Sequence, residues 1–169
     1  MVPLILLSGS AQLADVIVDQ FNLRKEDVKI ITSDVGVLPE KVHIELVILN
    51  DSLRNSTTYC VDLCNKLSVN EADCIHILVQ TRFDAENLSN NIEGSNFLTS
   101  ETESEQRSLI VENWINGKIK ILISTSCGVS GINNTKVKYV FFYGCPLNLV
   151  FFPARCGQNP GKWKCLCIN

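Results

Sequence analysis

The stretch KIKILISTSCGVSGINNTKVKYVFFYGCP, residues 118–146, decides the fold. Its two apolar runs, 119–123 and 137–143, are too continuous for strands with one wet face and predict parallel strands that are covered on both faces. The connection between them begins at the carboxyl end of a strand, where open α/β sheets bind ligands, and its hydroxyls and glycines suit phosphate or a nucleic-acid backbone. These residues are Ser124, Thr125, Ser126, Gly128, Ser130 and Gly131. A plain connection between two strands is the alternative.

Strand and helix patterns alternate on the amino-terminal side of this stretch. Strands are predicted at residues 4–7, 28–31, 42–49, 74–79 and 96–98. Helices are predicted at about 11–21, from a cap at Asp51 or Ser52 to about 67, at 81–91, and up to 116. The last helix is preceded by a Ser-x-x-Glu capping box, Ser100 to Glu103, and Gly117 is placed to end it. Such alternation predicts an α/β fold, with a right-handed parallel sheet and helices on both of its faces.

The amino-acid composition limits the classes of function that the chain can have. A chain of 169 residues with 46% hydrophobic residues is expected to form one globular domain. Its formal charge of −3 provides no global basic field, so any nucleic-acid contact has to be local. No apolar run is long enough for a membrane span, and residues 1–7 lack the basic region of a signal sequence, so no membrane partner is expected. The 8 cysteines are predicted to be reduced thiols of an intracellular protein.

Six short stretches follow one another in a recognisable order. They are ILVQTR at 77–82, the segment 103–120, ISTS at 123–126, GIN at 131–133, YVFFY at 139–143 and Pro146. Together they resemble the second RecA-like domain of a superfamily 2 helicase, of the RecQ-like type found in fungal genomes. The resemblance implies a RecA-like three-layer sandwich with a mainly parallel sheet. LLSGSA at 6–11 resembles motif III, which ends the first motor domain, so residues 1–50 would be that end with its lead-in and 51–169 the second domain.

The resemblance also implies a function. In that family two such domains hold ATP and magnesium in a cleft and move 3′ to 5′ along single-stranded DNA. The phosphate loop and the acidic Asp-Glu box belong to the first domain, and neither motif occurs here. We therefore expect the C-terminal motor domain of a nuclear, ATP-dependent DNA helicase, inactive alone, which binds neither ATP nor magnesium tightly. Its expected partners are the missing N-terminal motor domain and, weakly, single-stranded DNA.

A second hypothesis follows from the departures from the family pattern. Asn133 stands where motif V usually has an aspartate, and an ungapped count from Pro146 places Gln158 and Gly161 on the two arginines of motif VI. At such a position lysine is a poor substitute for arginine, whose guanidinium binds phosphate through two parallel hydrogen bonds. The chain would then be a degenerate, non-enzymatic helicase remnant, or a nucleic-acid-binding module without ATP hydrolysis.

Two sets of site residues follow from the resemblance, and no residue is predicted to be catalytic. The nucleotide-binding candidates are Gly131, Asn133, Arg155, Gln158 and Lys162, and the nucleic-acid-binding candidates are Thr81, Arg82, Ser124, Thr125 and Ser126. For Thr81 and Arg82, a solvated helix start is the alternative to a phosphate contact. No zinc site is predicted at the C-terminal cysteines 156, 165 and 167, because Cys-x-Cys is not a usual zinc spacing and no fourth ligand is near.

Three further expectations concern the core and the end of the chain. Cys60 and Cys64 are predicted to share the apolar face of a helix. His43 and His76 are expected at core or sheet-edge positions, without a catalytic partner. Five large apolar residues within positions 147–152, together with the strand edge at 4–7, predict self-association, because one helix face cannot bury them all.

Overall fold

We describe the fold from a computed structural model of the chain. It describes residues 18–22, 24, 26, 28–29, 42–47, 53–67, 73–126, 132, 134–144 and 163–168, and for 42–46, 53–55 and 163–168 the backbone alone. Residues 18–20 are helical, and three longer helices and six strands also lie in these ranges. In chain order they are β1 (Val42–Val47), α1 (Leu53–Leu67), β2 (Cys74–Val79), α2 (Arg82–Asn91), β3 (Ser95–Leu98), α3 (Ser104–Asn116), β4 (Ile121–Ser124), β5 (Val137–Tyr143) and β6 (Trp163–Ile168).

The six strands form one sheet in the order β1-β6-β5-β2-β4-β3. Every neighbouring pair is parallel, as the uninterrupted apolar runs predict. Strand β2 lies between β4 and β5, and all six of its side chains are buried. The predicted parallel α/β sheet with helices on both faces is therefore confirmed.

The helices divide between the two faces of the sheet according to the direction of each crossover. The connections β1-α1-β2 and β2-α2-β3 move along the sheet in one direction, whereas β3-α3-β4 moves back. Since parallel crossovers are right-handed, α1 and α2 must cover one face and α3 the other. The two buried clusters agree with this rule, because one contains Cys60 and Leu88 from α1 and α2, and the other contains Trp114 from α3.

Successive side chains along each central strand point to opposite faces of the sheet, so each strand contributes residues to both buried clusters. In β2, Ile75, Ile77 and Val79 pack toward α1 and α2, whereas Cys74 and Leu78 pack toward α3. In β5, Phe141 and Phe142 point to opposite faces in the same way. The sheet is thus the middle layer of a three-layer sandwich, and substitutions in β2 or β5 affect one layer at a time.

The helix ends match the sequence signals with one exception. Thr81 caps α2 by accepting a hydrogen bond from the backbone N–H of Asp84, and Gly117 ends α3 in the left-handed conformation at φ 80°. The predicted capping box at residues 100–103 is wrong, because α3 starts at Ser104 and Glu103 at its N-cap makes no side-chain cap bond. Thr99 and Thr102 form a separate turn instead, in which the Thr102 hydroxyl accepts from the Thr99 N–H at 3.0 Å.

Strand β6 is not among the strands predicted from the sequence. Its six residues WKCLCI are almost continuously apolar, which is the signature of a strand enclosed between two others, and β6 lies between β1 and β5. The predicted strand at 28–31 is not confirmed, since Val28 and Lys29 are not in a strand. The predictions for residues 4–7 and 147–152 lie outside the described residues.

Three buried thiols lie in this sandwich. Cys60 and Cys64 on α1 and Cys74 on β2 are fully buried and carry no disulfide. The shared apolar face predicted for Cys60 and Cys64 is confirmed. The hydrogen bond with Cys64 and burial raise the pKa of the Cys60 thiol, and burial raises the pKa of Cys74 against the opposing charges of Lys120 and Lys136. Both thiols are therefore held in the protonated form, which is a poor nucleophile.

We expect Cys60, Cys64 and Cys74 to be alkylated by iodoacetamide more than about a hundredfold more slowly in the folded protein than in the unfolded chain, because reaction requires both opening and deprotonation. Peptide mass spectrometry after timed labelling at pH 8, with and without guanidinium, measures this. Labelling of these three positions at the unfolded rate would show that the packing around α1 and β2 is wrong.

Candidate functional site

The candidate site lies at the carboxyl edge of the sheet, where the ends of β2 and β4 are neighbours. Leu78 of β2 is in register with Ser124 of β4, so the residues that follow each strand emerge side by side. Thr81, Thr125 and Ser126 all lie at this edge, as predicted, with Thr81 and Ser126 exposed and Thr125 half-buried. The Thr125 N–H donates to the carbonyl of Leu98 at 3.2 Å, which ties this edge to β3 as well. The structure thus brings three sequence-predicted residues to one surface.

The direction of the sheet connections changes between β2 and β5. From β2 the chain moves toward β3, whereas the strand that follows β5 lies on its opposite side, beside β1. Open α/β sheets bind ligands in the crevice at such a point. Gly144, immediately after β5, has φ 90°, and a Cβ there would come within 3.2 Å of the Gln80 side-chain nitrogen. The left-handed backbone at Gly144 therefore favours glycine, whereas the exposed Gln80 side chain could shift to accommodate a Cβ.

Arg82 is paired with two carboxylates at the exposed start of α2. Its Nε donates to Glu86 at 2.8 Å, and its guanidinium also donates to Glu101 in the turn before α3. These bonds, first to Glu86 and then to Glu101, raise the pKa of the guanidinium above its usual value. The side chain is exposed, so water and salt screen both pairs. A phosphate contact by Arg82 would have to compete with two carboxylates, and the solvated helix start matches its present environment.

Ser124 has a different surrounding from the one predicted. Its side chain is fully buried, and its Oγ lies 2.9 Å from Nε2 of His76 on the face covered by α3. A hydroxyl in that position is not accessible to a nucleic acid. We therefore assign Ser124 to holding the end of β4, while Thr125 and Ser126 remain candidates for contact. The partner of His76 was missed because it depends on strand register, which the sequence does not state.

Asn134 is a buried polar residue that sequence analysis did not single out. Its Nδ2 donates to the carbonyl of Trp114 at 3.0 Å, and its Oδ1 accepts from the N–H of Lys136 at 2.9 Å. The ammonium of Lys136 in turn donates to the carbonyl of Asn116 at 2.8 Å. The segment before β5 is thereby fastened to the last turn of α3, whose terminal carbonyls need such partners.

A second missed polar group joins the helices on the opposite face. The hydroxyls of Thr57 in α1 and Tyr143 at the end of β5 lie 3.0 Å apart, and Asn87 in α2 donates to Thr57 at 3.3 Å. Burial raises the pKa of Tyr143, although the bond with Thr57 opposes this effect. One hydroxyl group thus links three elements close to the carboxyl edge of the sheet.

The nucleotide-binding candidates Gly131, Asn133, Arg155, Gln158 and Lys162 lie outside the described residues, as does Cys156. In the described parts of the chain, no three His, Cys, Asp or Glu side chains are grouped so that they could hold a metal ion. No helix in those same parts is long and apolar enough to cross a membrane.

Comparison with known proteins identifies the type of domain. Residues 57–159 match the family described as "Helicase conserved C-terminal domain". The match includes α1, the strands β2 to β5 and the carboxyl edge described above. No curated protein shows significant similarity to the chain.

Solved structures share the fold at low sequence identity. The Escherichia coli DEAD-box protein SrmB, bound to regulator of ribonuclease activity A, is 20% identical with a TM-score of 0.67, over 77% of this chain and 78% of that one. A Saccharomyces cerevisiae Dbp5 variant bound to a Gle1 variant and IP6 is 16% identical with a TM-score of 0.68, over 81% and 38%. A hypothetical ATP-dependent RNA helicase from Sulfolobus tokodaii is 18% identical with a TM-score of 0.62, over 76% and 38%. The chain therefore spans less than half of the last two proteins.

We expect Asn134→Leu to lower the free energy of unfolding by about 1–3 kcal/mol, because it removes two buried hydrogen bonds and leaves polar backbone groups without that partner. Urea unfolding followed by circular dichroism measures the change. Asn90→Leu, an exposed position on α2, is the matched control and should change stability by less than about 0.5 kcal/mol. Equal losses in the two variants would contradict the role assigned to Asn134.

Proposed function

Because the chain belongs to the family of helicase conserved C-terminal domains, we propose that it is the second motor domain of a RecQ-like, ATP-dependent 3′–5′ DNA helicase. Alone it is inactive, and its single-stranded nucleic acid passes across the carboxyl edge of the sheet. The observation that carries the proposal is the common placement of Thr81, Thr125 and Ser126 at the ends of two neighbouring parallel strands. Hydroxyl and backbone groups in such a row suit a sugar–phosphate backbone, which requires no base recognition.

The charge at this edge supports weak binding. Glu86 and Glu101 are bonded to the guanidinium of Arg82, and the nearby Asp84 carboxylate accepts a hydrogen bond from the Thr81 hydroxyl at 2.6 Å. Phosphate affinity depends mainly on cations that neutralise phosphate charge. A local surplus of carboxylates therefore limits nucleic-acid affinity at this end of α2, and the hydroxyl-bearing end of β4 is the better contact.

ATP and magnesium are implied by the family, and the described residues do not supply a fit for them. The Arg82 guanidinium, a cation at this edge, already has two carboxylate partners. A triphosphate requires cations and N–H donors that are directed at it before it binds. We therefore derive no step of the function through the nucleotide, and assign ATP chemistry to a complete pair of motor domains.

One observation favours the second hypothesis, a remnant without ATP hydrolysis. In the ungapped alignment of motif VI, Gln158 and Gly161 replace the arginines that contact phosphate in the family. A chimera separates the two hypotheses. In this chimera, the chain replaces the second motor domain of an active RecQ-like helicase. DNA-stimulated ATP hydrolysis by the chimera supports a functional motor half. A folded chimera that binds DNA without hydrolysis supports the remnant.

We expect no ATP hydrolysis by the isolated chain, with or without single-stranded DNA, because one domain leaves the phosphates in water and lacks the phosphate loop. A coupled phosphate-release assay, compared with a no-protein control, measures this. The parent helicase of the chimera provides the positive control. Turnover that rises with both protein and DNA concentration would contradict the proposal.

We expect single-stranded DNA to bind with a Kd no tighter than roughly 10⁻⁶ M and with a marked salt dependence, as for non-specific contacts to phosphate. Ser126→Glu should weaken binding about threefold or more at low salt, since it places a carboxylate at the proposed contact. Fluorescence anisotropy with a labelled oligothymidine measures both effects. The matched control is Asn90→Glu, which adds the same charge near the end of α2, at the opposite edge of the sheet.

The outcomes of this titration are distinct. If Ser126→Glu and Asn90→Glu weaken DNA binding equally, the effect comes from net charge alone. That result would contradict the proposed surface. An oligouridine of the same length provides an RNA arm, because one similar structure is described as an RNA helicase. Binding of RNA much more tightly than DNA would overturn the DNA assignment while keeping the site.

A further inference from the structure

A buried polar pair fixes the start of the connection between β4 and β5. Ser124 is the last residue of β4, and its Oγ lies 2.9 Å from Nε2 of His76 in β2. Both side chains are buried, so the bond does not exchange with bulk water as a surface bond would. The next residues, Thr125 and Ser126, are those proposed to contact nucleic acid. The His76–Ser124 bond therefore controls where that contact surface begins.

The imidazole of His76 is itself oriented by α3. The ring centroids of His76 and Trp114 are 5.4 Å apart, with an interplanar angle of 60°. This tilted arrangement is favourable for aromatic rings and restricts rotation of the imidazole. Trp114 is 2% exposed and belongs to the buried cluster that α3 forms with the sheet. The buried indole thus packs against the imidazole of His76 and keeps its Nε2 directed at Ser124.

The other end of the same connection is bound to the same residue of α3. Asn134 donates to the carbonyl oxygen of Trp114 at 3.0 Å and accepts from the Lys136 N–H at 2.9 Å. The Gly117 N–H and the Cys74 thiol also point at this carbonyl, at 3.1 and 4.0 Å. Trp114 therefore touches one end of the connection through its ring and the other through its backbone.

We propose that Trp114 is the positioning residue for both ends of the β4–β5 connection, through His76 and Ser124 at the start and through Asn134 at the end. Residues 124–126 and 134–136 are then both linked to one turn of α3, in addition to the backbone bonds that tie each end to the sheet. The inference rests on the proposed function only where it concerns nucleic-acid binding, because the positioning itself is a property of the described contacts.

Site-resolved amide hydrogen exchange by NMR tests this proposal, with Thr125 reporting on the start and Lys136 on the end. Trp114→Leu removes the ring but keeps the carbonyl that Asn134 binds, so it should accelerate exchange about tenfold at Thr125 and leave Lys136 within about twofold. Asn134→Leu removes the amide bonded to that carbonyl and should accelerate exchange about tenfold at Lys136. His76→Phe should accelerate Thr125 about tenfold and leave Lys136 within about twofold, since one lost hydrogen bond of ordinary strength changes an opening equilibrium by that order. His76→Gln, whose amide can still bond to Ser124, should restore Thr125 to within about threefold of the unchanged protein.

A matched control separates positioning from general loss of stability. Ile77→Val shortens a side chain of β2 on the opposite face, so it should loosen the sandwich without touching Ser124 or Trp114. All rates are compared with that of the Ile77 amide in the same variant. If Trp114→Leu does not fold, His76→Phe and Ser124→Ala decide the start, and Asn134→Leu decides the end. An unchanged Thr125 ratio in Trp114→Leu and His76→Phe, or an unchanged Lys136 ratio in Asn134→Leu, would overturn the proposal.

The same variants connect the positioning to binding. With equal folded fractions, His76→Phe should weaken single-stranded DNA binding about fivefold, and His76→Gln should restore it. If the unchanged protein binds no DNA, the proposed function fails and the exchange ratios alone decide the inference. If exchange changes and DNA affinity does not, Trp114 positions the connection but the contact surface at Thr125 and Ser126 is refuted.

Discussion

Strand β2 imposes the constraint on which the structure depends. It is parallel to β4 on one side and to β5 on the other, so its backbone is satisfied within the sheet, and all six side chains are buried. Parallel neighbours cannot be joined by tight turns, and each connection must cross a face of the sheet. The helices and their buried faces follow from that requirement. The same geometry gathers the carboxyl ends of the strands, and therefore the polar residues after them, at one edge.

Burial of polar side chains on this sheet is accompanied by pairing. His76 bonds with Ser124, Asn134 with Trp114 and Lys136, and Thr57 with Tyr143 and Asn87. Each of these groups would be costly if it were buried without a partner. In the described residues, Trp114 Nε1 is a buried polar atom without a hydrogen-bond partner, although its ring and its carbonyl are both in use. These polar contacts lie where helices meet the ends of strands, at the carboxyl edge for Ser124 and Tyr143 and before the amino end of β5 for Asn134.

The electrostatics of the edge separate fold from activity. A helicase C-terminal domain needs cations directed toward phosphates, and here Arg82 is engaged by Glu86 and Glu101. The hydroxyl groups of Thr125 and Ser126 at the same edge carry no charge. In the described residues, the fold of a helicase C-terminal domain is therefore present at an edge where Arg82 is paired with carboxylates.

The sequence alone determined the parallel sheet, the bounds of β2 and β5, the left-handed end of α3 at Gly117 and the C-terminal helicase type of the domain, because continuous apolar runs and short motifs are local properties. It did not reveal β6, whose apolar residues resemble a tail until β1 and β5 enclose them. Nor did it reveal that Ser124 is buried against His76, that Asn134 is held by Trp114, or that Arg82 is paired with carboxylates. Those facts depend on register and on which helix covers which face, and neither is encoded by any single segment. Only the tertiary structure could decide them, since each requires groups from different elements to come within hydrogen-bond distance.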